Sequence, residues 1–110
     1  MSGTWAWLLH RVSAVLLIPL LALHFAIMHF VDPTQTITFA GSSLRLQGAL
    51  YLVADTLLLA TALYHGLNGV RNVILDYWPR AARGAAWVLW ILGLLALGYG
   101  TTALAAIARG

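Results

Sequence analysis

The run LQGALYLVADTLLLATALYHGLNGVRNVIL, residues 46–75, carries one carboxylate (Asp55), one imidazole (His65) and one guanidinium (Arg71). The rest is mostly aliphatic, and the run exceeds the roughly 20 residues a helix needs to cross about 30 Å of hydrocarbon. Two further runs share this character, at about 5–31 and 85–107. The expected fold is therefore all-α, an integral membrane protein of three transmembrane helices forming a single domain over residues 1–110.

Composition agrees. The chain is 62% hydrophobic and 8% charged, far from the balance of a soluble domain of 110 residues. It has no cysteine, which excludes disulfides, thiolate metal sites and iron–sulfur ligation by this chain. All its cationic residues are arginines, and they are scattered, so no nucleic-acid partner is expected. There is no internal repeat or low-complexity tract.

Pro19 lies inside the first run, where a membrane helix tolerates it if neighbours satisfy the freed carbonyl. Asp32-Pro33 is expected to end that helix, residues 34–43 to form a polar loop, and residues 78–84 to turn the second helix into the third. The first run lacks a basic leader and is too long for a cleaved signal, so a retained helix is expected. Arg71, Arg80 and Arg83 flank the second turn, whereas the first loop has only Arg45, offset by Asp32. The positive-inside rule places the second turn and the N-terminus in the cytoplasm. Trp5, Trp7, Tyr77, Trp78 and Trp87 would then form an aromatic belt at the inner face.

At about 100° per residue, Asn72 and Asp76 each lie about 20° from the direction of His65, and Gly69 about 40° away. They make one polar stripe. His65 sits about 16 Å from Asp76 along the axis, near mid-membrane, where an ionisable group is costly and functional by default. It could serve as a haem axial ligand, as a proton relay or as an interhelical hydrogen-bonding group. Gly66 and Gly69 beside it leave room for something flat, or for another helix.

The remaining histidines, His10, His24 and His29, are all on the first helix. His10 is either an interfacial side chain or, with Arg11, a group facing a haem propionate or an anionic headgroup. His24 and His29 are about 140° apart and cannot both face one ligand. His24, the better sheltered and about 40° from His10, is the candidate for a second haem; otherwise both are interfacial. Asp55 is expected to hydrogen-bond across a helix interface or to snorkel, with no obvious cationic partner, the alternative being a place on a proton path. Gly93, Gly98 and Gly100 point to packing of the third helix against partners.

HGLNGVRNVILDY resembles the second-helix signature of the D-type hydrophobic membrane anchor of succinate dehydrogenase, complex II, in which a haem-ligating His precedes an Asp-Tyr pair by eleven residues. His65 stands at that distance from Asp76-Tyr77. His10-Arg11-Val12-Ser13-Ala14 is similar to the family's entry into its first span, and GVRN also echoes the sister anchor, the C-type. The resemblance covers essentially the whole chain. It implies a non-catalytic member of a complex in the bacterial or archaeal inner membrane, with a flavoprotein subunit, an iron–sulfur subunit and the C-type sister anchor as partners, in contact with membrane lipid. It also implies haem b with His65 as one axial ligand, Arg11 at the propionates or the quinone pocket, and ubiquinone or menaquinone reduced beside Tyr77 and Asp76. Two-haem anchors use a first-helix His for a distal haem, which His24 would fit. The alternatives are the anchor of a fumarate reductase and a non-redox structural or transport component.

Overall fold

A computed structural model describes residues 3–31 and 38–110. Helix α1 spans Gly3–Ala26 and runs through Pro19 without a break, then widens into a π-helical turn at Ile27–Val31. Helix α2 spans Phe39–Leu46, α3 spans Ala49–Tyr77 and α4 spans Ala82–Arg109. A 3₁₀ turn at Pro79–Ala81 joins the last two. No strand occurs among the described residues. Three of the helices are long and apolar enough to cross a membrane, as expected from the sequence.

Two connections differ from expectation. The helix stop expected at Asp32-Pro33, with the first part of the 34–43 loop, lies outside the described residues. The remainder of that loop is helix, because Thr38 caps it: its side chain accepts a hydrogen bond from the Gly41 amide at 3.0 Å. Small residues let α2 lie close to the bundle, with Gly41, Ser43 and Leu46 buried against α3 and α4. The second turn is also shorter than expected. Pro79 fixes the first residue of the 3₁₀ turn, and α4 starts at Ala82 rather than after Gly84.

Helix α3 is the centre of the molecule. It packs on α1 along one side and on α4 along another, while α1 and α4 do not pack on each other among the described residues. Both seams are antiparallel. On the first, His10 meets His65 and His24 meets Asp55. On the second, Gly93 faces Leu67 and Gly100 faces Leu59. The start of α1, the end of α3 and the start of α4 therefore share one end. Trp5, Trp7, Tyr77, Trp78 and Trp87 are all exposed and lie toward that end.

Gly93 and Gly100 serve the chain's own packing, a correction to the expected role toward partners. A Cβ on either would come within 2.8 Å and 2.5 Å of a leucine methyl on α3, so the glycines set how near the helices approach. Gly98 faces open space. Among the described residues few side chains are buried: Ala6, Ser13, Ser43, Leu46 and Ala82. Large apolar residues such as Val15, Ile18, Leu95 and Tyr99 face outward, as suits a surface solvated by lipid or by neighbouring subunits.

Candidate functional site

Ser13 is buried where α1 meets the middle of α3. Its hydroxyl donates to the His10 carbonyl one turn back at 2.8 Å, and its oxygen lies 3.0 Å from His65 Nδ1. A serine has one proton. If that proton goes to the carbonyl, the serine oxygen is left to accept from His65 Nδ1–H, and this is the tautomer in which Nε2 keeps its lone pair. This is the arrangement by which a partner on one ring nitrogen prepares the other to bind a metal.

His10 stacks on His65, ring centroids 4.2 Å apart and planes 8° from parallel. A ring ligates through its edge, so a stacked neighbour covers a face without blocking Nε2. Gly69 lies beside the stack, where a Cβ would meet His10 Cε1 at 3.8 Å, an ordinary van der Waals distance. Gly66, by contrast, opens onto free space. His10 Nδ1 is buried with no hydrogen-bond partner. A polar atom left in that state marks a place where a further group belongs.

The other candidates are spread out. Arg11 is exposed, its guanidinium carbon 5.2 Å from the centre of the Trp7 ring. Asp76 and Tyr77 are exposed at the end of α3, Tyr77 beside Trp78 with ring centroids 5.9 Å apart. The His65-to-Asp76 stripe thus divides: His65 and Gly69 meet α1, and its far end reaches the surface.

Ten residues from His65 on α3, about 15 Å along the axis, Asp55 meets His24 Nδ1 at 3.3 Å. Asp55 does hydrogen-bond across the interface, and its partner is an imidazole that nothing in the residue pattern singles out. His10 and His24 share the α3-facing side of α1, as their angular separation requires. His29 instead lies against Phe25, ring centroids 4.3 Å apart. Among the described residues no cluster of three or more His, Asp or Glu side chains could hold a bare metal ion.

Sequence reasoning alone misses two features. Ser13 enters it only as part of a resemblance, although its place one turn after His10 is what lets its hydroxyl reach that carbonyl. Tyr64, Asn68 and Arg71 form a second polar stripe on α3, facing α4, at a spacing of four and three residues.

Residues 1–99 match the family model of the succinate dehydrogenase/fumarate reductase transmembrane subunit. The chain belongs to that family. Among curated proteins it is similar to the succinate dehydrogenase 2 membrane subunit SdhC of Mycobacterium tuberculosis (strain ATCC 25618 / H37Rv), with 32% identity over 94 residues. That alignment covers 83% of this chain and 66% of the relative, so the chain spans about two thirds of the relative's length. No solved structure matches it. The expected membership among succinate dehydrogenase membrane anchors is borne out. The relative's name, SdhC, is that of the sister of the anchor whose motif the second helix resembles.

Proposed function

We propose that this transmembrane protein anchors a succinate:quinone oxidoreductase and supplies His65 as one axial ligand of a b-type haem. The observation that carries the reading is the Ser13 hydroxyl 3.0 Å from His65 Nδ1, a contact that in the Nδ1–H tautomer leaves Nε2 free to ligate. The surrounding residues fit the group. Gly66 leaves space beside the ring, and His10 offers a buried, unpartnered nitrogen suited to a propionate contact. When bound, a b-type haem supplies a one-electron site between partners. A second axial ligand would come from the sister anchor, since no other histidine of this chain faces His65 across an open gap. Arg11, at the same end, is placed to serve a propionate or the quinone pocket.

Quinone would be reduced beside Tyr77 and Asp76, at the arginine-bearing end that the positive-inside rule assigns to the cytoplasm. Both are exposed, and in this reading the iron–sulfur subunit and the sister anchor complete the pocket, with the flavoprotein beyond. The bacterial or archaeal inner membrane is the proposed location. The reading is tested by the reduced-minus-oxidised visible spectrum of the purified complex, with haem quantified against flavin. A low-spin b-type signal is expected, and a flavin-containing complex with no haem would overturn it.

The same ratio decides His24. Asp55 engages its Nδ1, so Nε2 is the atom a second haem would use. A ratio near two, falling by one in His24→Ala, assigns His24 to a distal haem. A ratio near one leaves His24 and Asp55 as a structural pair across the seam.

Tyr77→Phe removes only a hydroxyl. Loss of one hydrogen bond to a quinone carbonyl should cost about 0.5–1.5 kcal/mol, or about 2- to 12-fold in quinone reduction. Succinate oxidation with a soluble acceptor should be unchanged. Equal losses in both assays, or in neither, would remove Tyr77 from the site.

A further inference from the structure

A groove of about 920 Å³ runs between α3 and α4, with Ala6 of α1 at its side. It lies on a different flank of α3 from the His10–His65 stack, since Tyr64 and His65 are about 100° apart. Its lining is ordered by polarity. Arg71 and Arg83 stand at the end nearest the Pro79 turn, Asn68 and Tyr64 follow deeper, and beyond them the walls are Ala60, Leu94 and Leu97.

Two observations make this a built site rather than a gap between helices. Asn68 Nδ2 and Tyr64 Oη are both buried without any hydrogen-bond partner, one turn apart on one face. Both can donate. In addition, neither Arg71 nor Arg83 forms an ion pair among the described residues. Two uncompensated guanidiniums beside two unused donors call for an anion carrying further acceptors.

We propose that the groove binds one anionic phospholipid. Its phosphate lies between Arg71 and Arg83, its ester carbonyls accept from Asn68 and Tyr64, and an acyl chain follows the apolar walls. The polarity order of the groove is that of such a molecule read from headgroup to tail. A partner's transmembrane helix suits it less well. Such a helix has its backbone carbonyls committed internally, so it would need separate polar side chains for each donor and each arginine. A quinone would satisfy the two donors, but it carries no charge for the arginines.

Native mass spectrometry of the purified complex carrying this anchor tests the proposal. The probes are phosphatidylglycerol, phosphatidylcholine and a short-chain quinone, each added after delipidation. Wild type should retain one phosphatidylglycerol and discriminate against phosphatidylcholine. The double variant Arg71→Gln/Arg83→Gln should lose retention at least tenfold, and Arg83→Gln alone, at an exposed position, should lose part of it. The haem spectrum reports separately on whether each variant remains assembled. Equal retention in wild type and Arg83→Gln, equal binding of both lipids, or displacement by stoichiometric quinone would overturn the proposal. So would displacement by millimolar inorganic phosphate, which would reduce the site to one for a free ion.

Discussion

His65→Ala is expected to abolish the low-spin haem signal of the assembled complex, or to convert it to a high-spin form. The His65 Nδ1 lies 3.0 Å from the buried Ser13 hydroxyl, so Nε2 is the ring nitrogen available to ligate iron. No nearby group can replace it. His10 is stacked parallel to it, so its ring nitrogens lie in a different plane, displaced by 4.2 Å between ring centres. Truncation at this position removes one ring of a packed pair, so the complex should be isolated and quantified through its flavin before the spectrum is read. An unchanged low-spin spectrum at wild-type flavin content would end the assignment of His65 as a ligand.

The second large effect is expected at Ser13→Ala, a change of one oxygen atom. It removes the acceptor for His65 Nδ1–H and frees the tautomer, and partners of this kind typically contribute about 10- to 100-fold in metal affinity. Haem retention through purification should fall by that order while assembly, read as flavin per membrane protein, is preserved. Ser13→Thr keeps the hydroxyl and its bond to the carbonyl a turn back, and it should recover most of the loss. Loss of assembly in Ser13→Ala with normal haem in whatever complex remains would give Ser13 a packing role alone.

The three spans are legible because their signal is summed over many residues: no local choice can hide a run of aliphatic side chains as long as residues 46–75. The stretch 39–43 misleads because its Gly and Ser content resembles a loop. What makes it helical is a single cap at Thr38 and burial against the other helices, neither of which composition reveals. Angular arithmetic on one helix correctly groups His10 with His24 and separates His29. It cannot say which groups on α3 they meet, because the relative translation of two helices is set by side-chain packing and not by either sequence alone. The pairings of Ser13 with His65 and of His24 with Asp55 both depend on that translation. For the same reason Gly93 and Gly100 are recognisable as contact positions while their partner, α3 itself, is not.

The central placement of α3 has a consequence for how the protein is made. The polypeptide emerges N-terminus first, so α1 reaches the bilayer before α3 does. His10, Ser13 and His24 are therefore exposed to lipid, or held by the insertion machinery, until translation has passed His65. By contrast α4 follows α3 through a three-residue turn and docks on a neighbour already in place. Biogenesis thus has two unequal stages: a delayed long-range union of the first and third helices, then a fast local hairpin. A chain truncated just after Tyr77 should already acquire the protease resistance of the first union, and one truncated before Ala49 should be cleared by membrane quality control. If the longer truncation is degraded as fast as the shorter one, α4 is required for the first union and the order is reversed.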